Sequence, residues 1–353
     1  MTRHDRDLNL NHPGALIAAI PAVLGFTPEK SLVLVAVDDG QMGAVLRVDL
    51  SPELSDGLHD LIEVMDAEQP DAVIAVVVDA KGAACPMCNE EHRALCDVLT
   101  AALSDRCIEV WAAHIVDYVG AGGQWHCVDG CGARGRVDDP KASPAAVAAV
   151  LNGRRLYATR ADLQAVIAAG DTTGSAALGA PAIRARLVDD EVRRNQDPDG
   201  CARRHVQAAL TAADRVATGA PLADADIAAL GCALVDAQVR DTMYAVAVGE
   251  RAGAAEALWA ALARRLPAPW RVEPLVLLAF SAYARGDGPL AGVALEEAFR
   301  CDPKHRMARM LDDALHSAMR PEQIRELALT GYHRAEQLGV RLPPRQPFNQ
   351  RAM

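Results

Sequence analysis

The sequence predicts an α/β domain built on a mixed sheet, followed by an all-α domain with tetratricopeptide-like helix packing. Three observations lead there. Continuous β-branched runs fall early in the chain, helical periodicities alternate with them, and from about Arg184 onward the periodicity is only helical. A length of 353 residues suits two domains. We place them at residues 10–175 and 184–335, with a disordered, proline-rich tail at 343–353.

Pro13 to Ile20 reads as a short helix with Asn11 or His12 near its cap, broken by Pro21 and Gly25. Ser31 to Val37 and Gly43 to Leu50 are apolar runs joined by Asp38-Asp39-Gly40, a hairpin signal that makes the two strands antiparallel neighbours. Pro52 to Ala67 carries Leu54, Leu58, Leu61, Ile62 and Met65 at helical spacing. Ala72 to Val78 is apolar throughout, as a strand buried on both faces must be. Glu90 to Leu103 is helical, and Cys107 to Val116 is a further strand. The order β-β-α-β-α-β implies a mixed sheet covered by helices.

Gly120 to Pro140 is glycine-rich without a clear period. Pro144 to Leu151 and Asp162 to Ala169 are short helices, and the small, polar stretch Asp171 to Ala180 reads as a linker. In the helical half, Gly286, Ala291, Leu295, Ala298 and Pro303 fall at the spacings of a tetratricopeptide helix pair, with Ala254 to Leu266 as a degenerate neighbour. A lone unit cannot bury its apolar face, so other helices must surround it.

Composition excludes some classes. Apolar residues make up 51% and aromatics 4%, so the core rests on Ala, Val and Leu, and aromatic stacking on bases is not the mode of recognition. A net charge of −11 argues against nucleic acid, whose binders neutralise phosphates. No apolar run approaches the ~18 residues of a membrane span, and Asp5 and Asp7 interrupt the basic start at Arg3 and Arg6, against a secretory signal. A cytoplasmic location is therefore expected, and nine cysteines in a reducing compartment do not form a disulfide framework.

Ala15 to Phe26 (ALIAAIPAVLGF) followed by Thr27 to Val37 (TPEKSLVLVAV) resembles the opening of the actinobacterial family called domain of unknown function 4192. Arg47-Val48-Asp49, the loop from Trp125 to Gly135, the segment Val239-Arg240-Asp241 and the helix pair from Ala279 to Pro303 resemble its later motifs, so the likeness covers about residues 10 to 320. The resemblance implies an α/β part followed by helices and no known activity. Cys131 is followed here by Gly132 and Ala133, where the family's loop has adjacent cysteines and then proline, and Cys85 and Cys88 are not a general family feature.

Six cysteines lie between Cys85 and Cys131. Zinc takes four sulfur or nitrogen ligands, commonly as two closely spaced pairs. Cys85/Cys88 and Cys127/Cys131 supply such pairs, with His92 and His126 as alternates, so a structural zinc site is the first expectation. The thiols as plain packing residues are the bland counterpart. A redox Cys-x-x-Cys is a further reading, because the motif lies between a strand and a helix. Against it stand the missing aromatic framing and Pro86 directly after the first cysteine. Gly130 to Gly135 spells G-x-G-x-x-G, but no helix is expected after it, so it is a chance match. Asp38, Asp49 and Asp79 follow strands and could bind a metal or act as acid and base, though aspartate is also a common turn former. Arg240 and Asp241 interrupt an apolar helical stretch and read as a buried pair or an exposed one. The basic cluster at Arg193, Arg194, Arg203 and Arg204 is interleaved with acids, as on a solvated helix face.

The reading that follows is a binding or scaffold module whose helical domain accepts a peptide or partner protein, with the cysteine loops stapling the sheet edge. The competing class is a metal-dependent hydrolase working at Asp38, Asp49 and Asp79.

Overall fold

The computed structural model describes residues 12–51, 54–128, 130–151, 154–171, 174–317 and 319–345. Two compact units divide the chain between Leu163 and Gln164.

The first unit is a six-stranded mixed sheet with helices. Helix α1 (Pro13–Leu24) is buried along most of its length and runs through Pro21, ending at Gly25 in the left-handed region (φ 75°). The break expected at Pro21 does not occur. Strands β1 (Ser31–Asp38) and β2 (Gln41–Asp49) form the expected hairpin. Asp39 (φ 49°) and Gly40 (φ 72°) are both left-handed, the geometry a two-residue loop needs to match strand twist. Helix α2 (Leu54–Glu68) leads to β3 (Ala72–Val78), antiparallel to β1. Helix α3 (Pro86–Ser104) then crosses to β4 (Glu109–Val116), which runs parallel to β3, as a helical crossover permits.

Two short strands, β5 (Gln124–Cys127) and β6 (Arg134–Arg136), complete the order β2-β1-β3-β4-β5-β6. They lie inside the glycine-rich segment that showed no period, because strands of four and three residues cannot display alternation. Strand β3 is buried throughout and β1 up to Val37, which is why both read as unbroken apolar runs. Leu58, Leu61, Ile62 and Met65 of α2 and Cys96, Leu99 and Leu103 of α3 pack with Leu32, Leu34, Val73, Val77 and Ile115 in one core. Helix α4 (Pro144–Leu151) packs on α1.

Helix α5 (Arg160–Ala165) spans the division. The second unit holds α6 (Ala180–Gln196), α7 (Pro198–Ala217), α8 (Asp224–Ala233), α9 (Ala237–Met243), α10 (Ala252–Arg265), α11 (Val272–Ala284), α12 (Gly288–Cys301), α13 (Arg306–His316) and α14 (Pro321–Gln337). Helices α11 and α12 form a tight hairpin, with Ala291, Leu295 and Ala298 buried. Among the described residues no strand lies beyond Arg136, and Gly249 and Arg345 form an isolated bridge.

The boundary differs from residue 175. Arg271 is buried and donates to Ile167 O (2.6 Å) and Ala263 O (2.9 Å), while Gly170 N–H donates to Arg264 O (2.7 Å). These bonds fasten residues 167–170 to the helical unit, an attachment their polar, small-residue neighbourhood does not advertise. The tail expected from 343 is also held at its start. Tyr332 OH donates to Pro343 O (3.0 Å) and Glu250 N–H to Pro344 O (3.2 Å), whereas residues 346–353 lie outside the described ones, as do Arg3, Asp5, Arg6, Asp7 and Asn11.

Candidate functional site

Strand β3 ends at Val78, and Asp79 N–H donates to Val116 O (3.0 Å) at the matching end of β4. Asp79 therefore sits at the carboxyl end of two parallel strands, where open α/β sheets hold their ligands. From there the chain turns twice. Ala83 N–H donates to Asp79 O (3.0 Å) and Cys85 N–H to Gly82 O (2.9 Å). Helix α3 then begins earlier than the apolar periodicity indicates. Cys85 is its N-cap, Pro86 holds the first helical position, and Asn89 N–H donates to Cys85 O (3.0 Å). Proline suits that position because its missing N–H would have no helical partner there. The residue that counted against a redox motif is thus the residue that starts the helix.

Cys85 and Cys88 occupy the N-cap and the third helical position, so the two side chains stand roughly 5–6 Å apart at Cβ, more than the roughly 3.5–4.5 Å of a closed disulfide, and bridging them requires a local shift of the N-cap. Their thiols interact, and the effect on each is opposite. The Cys85 thiol is held below its ordinary pKa by the Cys88 backbone N–H and then by the Cys88 thiol; partial burial opposes this, the Met87 N–H adds to it, and Glu91 opposes it. Neither N–H closes a full cap bond with the sulfur, so their contribution is that of dipoles pointing at it. The Cys88 thiol is pushed up, because it gives its hydrogen bond to Cys85, because it is desolvated, and because Cys85, Glu91 and Asp79 are negative neighbours.

Asp79 is itself tightly held. His92 Nε2 lies 3.0 Å from its Oδ2, and Lys81 N–H donates to Oδ1 (3.1 Å). Burial works to raise the carboxyl pKa, but the hydrogen bonds from Gly82 N–H, His92 and Lys81 N–H outweigh it and keep Asp79 below the usual carboxylate range. Gly82 is required sterically: a Cβ there would lie 2.0 Å from Asp79 Oδ2 and 2.7 Å from His92 Nε2. His126 of β5 is close enough to His92 that its pKa is lowered, first by burial and second by that neighbour. Arg93, one residue past His92, donates from Nε to Val128 O (3.1 Å) and joins α3 to the turn after β5.

The remaining expected ligands and acids lie elsewhere. Cys127 ends β5 half-buried, and Cys131 is exposed in the following loop. Among the described residues no group of three or more His, Cys, Asp or Glu side chains that could hold a metal ion is found. The three strand-end aspartates also part. Ser31 pairs with both Asp49 and Val78, which puts Asp49 and Asp79 at one end of the sheet, while Asp38 pairs with Gln41 at the other. Strand β1 intervenes even between Asp49 and Asp79, a separation of roughly 10 Å at ordinary strand spacing. Asp49 is exposed and engaged by Arg47. The G-x-G-x-x-G string runs through a loop into β6 and opens no helix. Arg240 is partly buried and bridges Asp241 (3.2 Å) and Glu273 (3.1 Å). Arg193, Arg194 and Arg204 pair with Asp190, Asp236 and Asp197, and Arg203 donates to Leu338 O (2.7 Å).

Sequence reasoning missed the Asp79–His92 pair. Its signal was present, a strand-end carboxylate followed by a histidine in the second turn of the next helix, and it is visible only once α3 is known to start at Pro86.

A family model described as Domain of unknown function (DUF4192) matches residues 13–322. The chain belongs to the DUF4192 family. The DUF4192 match spans the sheet, the Cys85–Cys88 turn and most of the helical unit. Neither a curated protein nor a solved structure matches the chain.

Proposed function

We propose that this DUF4192 protein carries out thiol–disulfide exchange, with Cys85 as the attacking thiolate and Cys88 as the resolving thiol. One observation carries the reading: Cys85 caps the N-terminus of α3 with Cys88 one turn on, and the two thiols interact there. The thiolate is the nucleophile in such exchange, and a helix N-terminus favours it. Cys85 S⁻ attacks one sulfur of a disulfide, forming a mixed disulfide and expelling one thiolate. Cys88 then loses its proton and attacks Cys85 Sγ, closing Cys85–Cys88 and releasing the second thiolate. Two electrons pass from the dithiol to the substrate, and the two protons of the dithiol end on the released thiols. The hydrogen bond that Cys88 gives Cys85, its desolvation and, as smaller contributions, the negative Cys85, Glu91 and Asp79 disfavour a premature charge on Cys88 and so favour this order of attack.

The test is a pH profile of alkylation on the reduced full chain, followed at Cys85 and Cys88 by peptide mass. Cys85 is expected to react with a midpoint below that of a free cysteine, and Cys88→Ser to raise that midpoint and trap a mixed disulfide with an aromatic disulfide reagent. An ordinary midpoint at Cys85, with no Cys85–Cys88 disulfide in a glutathione redox buffer, sinks the proposal.

A further inference from the structure

Beside the cysteine turn lies an open cleft that reaches Asn89, the residue following Cys88; Arg93, His126, Gly130, Gly132 and Arg134 line it too, as does the Cys127 thiol, which must be changed to serine in any test of exchange at Cys85. No acidic residue is among its described lining residues. Elsewhere in this chain of net charge −11 a number of arginines are engaged by acids, among them Arg47, Arg240, Arg265 and Arg285. Among the described residues no carboxylate pairs with Arg93 or Arg134. Arg93 spends only Nε, on Val128 O, and Arg134 is exposed on the edge strand β6. Guanidinium groups are always charged and present paired donors that match a carboxylate. The walls leave room for one: at Gly130 and Gly132, both left-handed, an added Cβ would meet nothing within 4 Å.

We infer that this cleft selects a low-molecular-weight disulfide bearing carboxylates, holding its charged end at Arg93 and Arg134 while its sulfur meets the cysteine turn. The inference rests on the exchange activity proposed above and names its substrate class. The exchange step is unchanged: the small disulfide is reduced to two thiols, and Cys85 and Cys88 are oxidised to a disulfide. Net repulsion by the acidic chain works against an anion, so any preference for one has to arise locally.

The experiment measures second-order rates of the reduced full chain carrying Cys127→Ser with three small disulfides, oxidised glutathione (anionic), hydroxyethyl disulfide (neutral) and cystamine (cationic). Each rate is normalised to that of dithiothreitol with the same reagent. Two arginines acting on one charged end predict a preference of about tenfold or more for the anionic over the cationic reagent. That preference shrinks at high salt, and Arg134→Glu, which cancels the charge of Arg93, abolishes it. If all three reagents react at comparable normalised rates, the substrate inference is overturned and the exchange activity stands. If none reacts, the neutral one included, both fall.

Discussion

Gly82→Ala is the sharpest perturbation of the candidate site, because it adds one methyl where there is no room. The new Cβ would lie 2.0 Å from Asp79 Oδ2 and 2.7 Å from His92 Nε2, while ordinary contact begins at 3.4 Å. The carboxylate must therefore retreat by more than about 1 Å, and its 3.0 Å bond to His92 passes out of hydrogen-bonding range. A hydrogen bond to a charged group contributes about 1.5–3 kcal/mol. A loss of about 2–3 kcal/mol corresponds to a fall in Tm of about 4–12 °C for a unit of this size. Thermal unfolding of the full chain by circular dichroism, wild type beside variant, reads it. The pH dependence adds a second check. Asp79's carboxyl is held below its unfolded value, so its stabilising contribution is fully present above the unfolded pKa of about 3.9 and is lost as pH falls through the lower folded value. The gap between wild type and variant should accordingly be constant near neutrality and close below about pH 4. A variant with unchanged Tm at pH 7 and an unchanged alkylation profile at Cys88 would refute the coupling of Gly82, Asp79 and His92.

Three further substitutions probe the two units. Met65→Ala empties a fully buried position between α2 and the sheet and should cost about 2–5 kcal/mol, read as a lower urea midpoint with the slope unchanged. Arg271→Met removes the donor shared by Ile167 O and Ala263 O; leaving those carbonyls unpaired should cost about 2–4 kcal/mol and accelerate hydrogen exchange at Gly170 N–H, whose own acceptor lies beside them. Tyr332→Phe deletes the bond to Pro343 O, worth about 1 kcal/mol, and should raise the rate of limited proteolysis after Arg341 or Arg345 with little change in Tm.

The fold was legible where burial on both faces left no choice of residue. Ser31 to Val37 and Ala72 to Val78 could be nothing but central strands, and the Asp39-Gly40 turn set the hairpin direction. Legibility failed where elements were too short to carry a period, as in β5 and β6. It failed again at the start of α3, whose first turn (Pro86, Met87, Cys88, Asn89) has no apolar face to show, so the helix became visible only from Glu90. The site suffered from both gaps. Cysteine spacing is a distance along the chain, and it does not say how the side chains of the turn before α3 and of the turn after β5 are oriented toward one another. The aspartates illustrate a different loss. All three end strands, but a strand end is a place only when the direction of pairing is known, and β1 runs against its neighbours, which carries Asp38 away from Asp49 and Asp79.

The same pairing directions explain why chemistry concentrates at Asp79 and not elsewhere on the sheet. Parallel pairing of β3 and β4 obliges the chain to return along the sheet through α3, so that helix must begin near the ends of both strands. Its positive N-terminal dipole therefore arrives beside the carboxylate that terminates β3, and one turn of helix separates a cysteine favoured as thiolate from a cysteine held as thiol. Backbone N–H groups of the first turn act on the N-cap, whereas the third position responds first to its hydrogen bond with Cys85 and to desolvation, and last to Asp79, which is fixed by His92 and by the N–H groups of Lys81 and Gly82. Protonating or removing Asp79 would leave the dipole and the Cys85–Cys88 hydrogen bond in place and withdraw only the smallest of the influences on Cys88. The difference between the cysteines would then narrow from the Cys88 side, which is the pattern that separates a poised dithiol from two thiols that merely pack.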